Sequence, residues 1–172
     1  LPLRFPYPLM EATPVSGLPQ GDEWQYEPKW DGFRCLVFRD ADEVRLQSKA
    51  GKPLERYFPE VVAHVQALGA RRFVLDGELV VKVGRHLSFD DLLQRIHPAQ
   101  SSIEKLSEET PAQLKVFDLL VDERGALRAE EPLRIRRRWL EAFASRYFED
   151  DGIALSQVTL RLATAKRWLA GA

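Results

Sequence analysis

The stretch Glu27-Pro28-Lys29-Trp30-Asp31-Gly32-Phe33-Arg34 decides how the rest of the chain is read. It sets a lysine in a short apolar run, with a carboxylate two residues before it, another two residues after it, and then Gly and Arg. Lysine is a nucleophile only as the neutral amine. Burial beside Trp30 would lower its pKa while Asp31 and Glu27 would raise it, so the pattern describes a tuned group. A surface lysine paired with Asp31 is the plain alternative. Trp24 to Tyr26 reads as a strand entering this stretch, and Phe33 to Arg39 as a central strand, because Cys35, Leu36, Val37 and Phe38 are apolar without a break.

Asp40-Ala41-Asp42-Glu43 makes a turn, and Val44 to Ser48 returns as the partner strand, ending in the Lys49-Ala50-Gly51-Lys52 loop, where Gly51 can supply a positive φ. Before the lysine stretch, Leu1 to Pro19 holds five of the eleven prolines. It reads as an extended arm, residues 1–20, laid over a domain, with Phe5, Tyr7, Leu9 and Met10 to bury. Pro59, then Val61, Val62, Val65 and Leu68 at helical spacing, then Gly69, describe an amphipathic helix with both ends marked. Phe73 to Val83 is the longest strand signal. Asp76-Gly77-Glu78 interrupts it, and carboxylates in such a strand demand partners. Ser88 caps a short helix through Gln94, with Phe89, Leu92 and Leu93 inward. Ser101 to Thr110 is helical, and Leu114 to Val121 is a strand carrying Phe117-Asp118.

Pro132 opens a helix with Ile135, Trp139, Ala142 and Phe143 as its core stripe and Arg134, Arg137 and Arg138 on the opposite face. Together with Arg136 these arginines could grip DNA phosphates, although a solvated face is the simpler use. Ile153 to Gln157 reads as a short strand, and Thr159 to Ala170 as a last helix with Leu162, Ala165, Trp168 and Leu169 inward. The elements do not alternate strictly, so the fold class is α+β, antiparallel sheets flanked by helices.

Composition bounds the rest. With 172 residues, 45% hydrophobic and 30% charged, the chain reads as one soluble globular domain. A net charge of -1 gives no overall pull toward nucleic acid, so any such binding rests on local basic patches. The single Cys35 excludes an internal disulfide and a cysteine zinc site and fits a reducing compartment; His64, His86 and His97 share no metal-like spacing. No apolar run reaches membrane-spanning length and no leader is evident, so the expected location is cytoplasmic, with no membrane partner. The chain opens at Leu1 rather than a methionine, as a processed or excised piece would.

Three motifs in order, Glu27-x-Lys29-x-Asp31-Gly32-x-Arg34, Asp76-Gly77-Glu78 and Phe117-Asp118-Leu119-Leu120, resemble the first, third and third-a motifs of the ATP-dependent DNA ligases. The Phe5-Pro6-Tyr7-Pro8-Leu9-Met10-Glu11 opening and Trp30 resemble in particular the bacterial ligase C and ligase D type linked to end joining. The resemblance implies a covalent nucleotidyltransferase core, an ATP-grasp-like adenylation domain over 1–172, in a cytoplasmic, nucleoid-associated bacterial enzyme. It makes Lys29 the amine that takes AMP from ATP. Glu27 would lie against adenine and ribose, Arg34 would contact nucleotide or the nick phosphate, Glu78 would accept from the ribose hydroxyl, and Phe117 would stack on the purine. Asp31 and Glu78 would help hold Mg2+ or Mn2+. The partners implied are nicked or broken double-stranded DNA, a C-terminal OB-fold domain and end-joining proteins.

The sequence departs from that pattern in two places. Ser48-Lys49-Ala50-Gly51 stands where the family carries Ser-Arg-Asn-Gly, so a point charge at Lys49 replaces a planar fork as nucleotide ligand. The downstream Glu-Gly-x-Val/Ile-x-Lys and Lys-x-Lys motifs are not found; Asp151-Gly152-Ile153 is only superficially similar, with Ser156 where lysine should be, and the last helix, ending at Gly171-Ala172, resembles the segment that normally precedes the missing motif. The expectation is therefore a partial adenylation domain, incomplete at its C-terminus and without the OB-fold, that adenylylates itself poorly or not at all and cannot seal nicks. RNA ligation or GTP-dependent capping, and a non-catalytic nucleotide or DNA-binding module, are the competing readings.

Overall fold

The computed structural model describes residues 1–96 and 100–171; His97 and Ala172 lie outside the described residues. Six strands, β1 Phe33–Asp40, β2 Glu43–Ser48, β3 Arg72–Val83, β4 His86–Leu87, β5 Ala112–Val121 and β6 Ile153–Leu155, combine with five helices, α1 Pro59–Ala67, α2 Phe89–Leu93, α3 Gln100–Glu109, α4 Leu133–Tyr147 and α5 Leu162–Ala170. The strands run β2-β1-β3-β5-β6, with β4 paired to β3 off this path. The α+β class is as expected. The sheet is single, however, and β6 lies parallel to β5, Leu114 opposite Ile153, because α4 carries the chain back across one face between them.

Each face of the sheet has its own core. On one side Cys35, Val37, Leu75, Leu79, Leu114, Val116 and Leu119 pack with Val61 and Val65 of α1 and Leu140 and Phe143 of α4. On the other, Leu36, Phe38, Val74, Leu120 and Val121 are covered by Leu3, Phe5, Tyr7 and Leu9 of the proline-rich opening. That opening is extended because proline removes donors and fixes φ, so its backbone needs other partners. Gln47 provides them: Tyr7 N donates to Gln47 Oε1 and Gln47 Nε2 donates to Tyr7 O, both at 2.7 Å.

Local signals hold at several places. Pro59 opens α1, Ser88 Oγ accepts from Asp91 N to cap α2, and Gly51 has φ 82°. Several expectations are corrected. Trp24 to Tyr26 forms no strand; Tyr26 makes one isolated antiparallel bridge, to Thr159. Leu93 and Leu169 are exposed, at 44% and 65%, and Ala142 also faces solvent. The arginines of α4 do not share one face: Arg134 and Arg138 are exposed, but Arg136 and Arg137 are buried. Arg136 Nε and Nη2 donate to the two carboxylate oxygens of Asp118 at 2.9 and 3.0 Å, and Arg137 Nη2 donates to Ser156 O at 3.0 Å. Charge satisfied inside the protein cannot also grip DNA, which removes both from the proposed patch. Another buried arginine, Arg95, reaches Glu60 and the Tyr57, Leu106 and Thr110 carbonyls, tying α1 to α3.

Candidate functional site

Residues 27–32 form a loop strung between the Tyr26–Thr159 bridge and the start of β1. Gly32 is required where it stands: a Cβ there would lie 2.0 Å from the Leu79 carbonyl oxygen of β3. The close approach brings the loop onto the edge of the Asp76-Gly77-Glu78 segment. Gly77 has the same cause on the other side, since its Cβ would meet Lys115 O of β5 at 2.5 Å. The glycines of both motifs are therefore places where one backbone passes against another.

Cross-strand register sets the carboxylates. Arg34 pairs with Glu78, and Leu36 with Asp76, across β1 and β3. Asp76, 1% exposed, accepts from Arg34 Nε and Nη2, both at 2.7 Å, which supplies the partner its strand position demands. Burial raises the Asp76 pKa, and the Arg34 hydrogen bonds oppose that rise. Arg34 Nη2 also donates to Met10 O at 2.9 Å, and its guanidinium lies 5.1 Å from the Phe117 ring centroid. Most of the Arg34 fork is thus engaged within the protein. Glu78 is half-buried, and loss of water raises its pKa to about 7, with Arg34 and Lys29 opposing and Asp76 and Asp31 adding to the rise.

A cleft of about 1030 Å³ opens beside this edge. Lys29, Asp31, Arg34, Lys49 and Glu78 line it together, as does Trp30. Lys29 is exposed on the wall rather than buried against Trp30. Glu27 and Phe117 lie outside the cleft lining. Glu27 is exposed as a residue, but neighbouring protein crowds its carboxyl, whose pKa is raised by that loss of water first, with the Gln25 hydrogen bond opposing and Asp118 adding. Among the described residues no cluster of three or more His, Cys, Asp or Glu could hold a metal by itself. Asp31 and Glu78 both line the cleft, and two carboxylates alone would leave most of the ligand positions of a divalent cation to other groups.

Sequence reasoning missed Lys52 and Arg56, which join Lys49 on the cleft wall. All three are exposed, and Glu55, the carboxylate next to them in sequence, is held by Arg45 at 2.9 Å. The signal was available in the spacing of three cations around one glycine turn. Also missed was the bond from Trp30 Nε1 to Ser156 Oγ, 2.9 Å, between residues 126 apart; no local pattern carries it.

Residues 12–171 match the family model of the ATP dependent DNA ligase domain. The chain is 40% identical over 174 residues to DNA ligase C of Mycobacterium tuberculosis, covering 98% of this chain and 47% of that protein. It is 47% identical over 146 residues to DNA ligase C1 of Mycolicibacterium smegmatis, covering 81% and 41%. Among solved structures, the ligase domain from M. tuberculosis LigD superposes with a TM-score of 0.60 at 25% identity, over 84% of this chain and 44% of that one. The chain therefore spans less than half the length of these relatives. No helix among the described residues is long and apolar enough to cross a membrane.

Proposed function

The chain belongs to the ATP-dependent DNA ligase domain family, and on that footing we propose that Lys29 is the nucleophile that accepts AMP. The observation that carries this reading is the gathering of Lys29, Asp31, Arg34, Lys49 and Glu78 on one cleft. The neutral Lys29 amine attacks the α-phosphorus of ATP. A P–N bond forms, the bond to the β-phosphate oxygen breaks, pyrophosphate leaves with that electron pair, and nitrogen releases its proton. The adenylyl group then passes to the 5′-phosphate of a DNA break, and the 3′-hydroxyl displaces AMP.

In phosphoryl transfer the protein mostly positions groups and meets developing charge. Lys49 supplies a cation to the same cleft, and Asp31 and Glu78 would hold Mg2+ or Mn2+, whose charge offsets that of the phosphates. Glu78 also accepts from the ribose hydroxyl. Phe117 and Glu27, outside the cleft lining, are given the base side on the resemblance of their motifs alone, and the part of Arg34 not committed to Asp76 and Met10 is left for phosphate. The DNA substrate, the end-joining setting and a following OB-fold domain belong to this same proposal.

The test is intact-mass and peptide mass spectrometry after incubation with ATP and Mg2+. The expected result is a low-yield gain of one adenylyl group, mapped to Lys29 and absent from Lys29→Ala. The yield is low because the family's downstream motifs that complete the nucleotide pocket are not found among these residues. An adduct on another residue, or one that survives in Lys29→Ala, overturns the assignment.

A further inference from the structure

We propose that Ser156 is a positioning residue for the nucleophile, acting through Trp30; the functional part of this rests on Lys29 being that nucleophile. The Lys29 loop has no regular structure of its own, yet a reacting amine has to be held near one geometry to react efficiently. Its anchors lie on the segment just after β6. On one side of Lys29, Tyr26 and Thr159 exchange two backbone hydrogen bonds, 2.8 and 2.9 Å. On the other side, the Trp30 indole N–H donates to Ser156 Oγ at 2.9 Å. Lys29 is thus suspended between two attachments to residues 156–159.

Ser156 is built for that task. It has no exposed surface, and its polar groups reach three different parts of the fold. Its N–H donates to Val116 O of β5 at 2.7 Å, its carbonyl accepts from Arg137 of α4 at 3.0 Å, and its hydroxyl accepts from Trp30. Arg137 is steadied in turn by Glu141, at 2.9 Å. Lys115 Nζ, 5.4 Å from the Trp30 ring centroid, adds a contact from β5. A small buried hydroxyl fits this place, where Ser156 serves as a rigid acceptor that clasps the loop. A ring held at Trp30 and a backbone pair held at Tyr26 leave the Lys29 main chain little freedom, while its side chain still reaches into the cleft.

The experiment is 15N NMR on the 172-residue chain. Its four tryptophans give four indole N–H signals, and Trp30→Phe identifies the one that matters. In Ser156→Ala, the Trp30 indole should exchange with solvent about tenfold faster, as expected for loss of one net hydrogen bond, while the other three indoles stay unchanged and report an intact fold. The Lys29 amide order parameter should fall from about 0.85 to below 0.6. Trp30→Phe should loosen Lys29 to the same extent, and the double variant no further, since both remove one bond. Unchanged indole exchange, or a Lys29 amide equally mobile in wild type and Ser156→Ala, overturns the proposal. In the adduct assay, Ser156→Ala should slow adenylyl transfer about tenfold with ATP affinity within twofold of wild type; equal loss of both would point to a structural role alone. The order-parameter result does not depend on AMP uptake, so its failure is distinguishable from failure of the Lys29 assignment.

Discussion

Replacing Arg34 by methionine tests whether the Asp76-Gly77-Glu78 segment is held by the charge pair the structure places there. Methionine keeps an unbranched stem and removes the guanidinium, leaving Asp76 at 1% exposure without its two 2.7 Å donors. An ionised carboxylate stranded in that position costs about 3–5 kcal/mol, but Asp76 has a way to limit the cost, by taking up a proton. For a carboxyl with an ordinary pKa of 3.8, protonation costs roughly 4 kcal/mol at pH 7 and roughly 2 kcal/mol at pH 5, at about 1.4 kcal/mol per unit. The lost bond to Met10 O adds about 1 kcal/mol. Arg34→Met should therefore destabilise the chain by about 5 kcal/mol near pH 7 and about 3 kcal/mol near pH 5. The double variant Arg34→Met/Asp76→Asn, with no charge to strand, should lie within about 2 kcal/mol of wild type at both pH values. Equilibrium urea unfolding followed by tryptophan fluorescence reads all four numbers. A loss below about 1 kcal/mol, or one that is the same at both pH values, would refute the reasoning.

Glu78 gives a second pH dependence. Its folded pKa, about 7, lies above its ordinary value of 4.5, so the folded state keeps a proton that the unfolded state has released, and stability falls as pH rises from about 4.5 to 7. Glu78→Gln should match wild type in Tm near pH 4.5 and exceed it by about 3 °C above pH 7, after discounting for partial exposure; a gap that does not widen with pH sinks the idea. Gly32→Ala should cost about 3 kcal/mol or more by urea unfolding, because its Cβ meets main-chain oxygen that cannot swing aside. Gly17→Ala, with nothing within 4 Å of its Cβ, should cost under about 1 kcal/mol in the same assay. Changing Lys49, Lys52 and Arg56 together to Gln should lower the slope of log affinity for duplex DNA against log salt by about 1–3, measured by fluorescence anisotropy. An unchanged slope would take DNA phosphates off that wall.

Much of the fold was legible because its signals are local. The unbroken apolar run after Arg34 makes β1 a central strand, and Pro59 with its valine stripe makes α1. The serine before Phe89 caps α2. The candidate site was partly legible for a different reason: the residues singled out, Lys49 apart, sit in three short motifs. Lys29, Asp31, Arg34, Lys49 and Glu78 share one cleft while Glu27 and Phe117 do not, and the register of two motifs follows from one antiparallel pairing, Arg34 opposite Glu78. The misses share one cause. The parallel placement of β6, the burial of Arg136 and Arg137, and the Trp30–Ser156 bond all depend on partners far away in sequence. Helical periodicity puts arginines on a polar face; it cannot see Asp118 or the Ser156 carbonyl waiting beneath that face.

Those buried carboxylates also change what the charge count means. Asp76, Asp118 and Asp122 are each at most 6% exposed, and each is matched by an arginine: Arg34, Arg136 and Arg128. A carboxylate that must be buried predicts an arginine from elsewhere, and the N–H groups spent on that pair are then unavailable to any ligand. The net charge of -1 averages these internally cancelled pairs with the groups that still face solvent. Removing the cancelled pairs subtracts as many cations as anions, so the total does not move, but the location of what remains does. Lys49, Lys52 and Arg56 line the same cleft as Asp31 and Glu78. A nearly neutral chain thus gathers a local group of cations in one cleft with two carboxylates, as the proposed handling of a polyanion there would need. The arginine cluster on α4, the most basic run in the sequence, does the opposite, spending half its charge inside the fold.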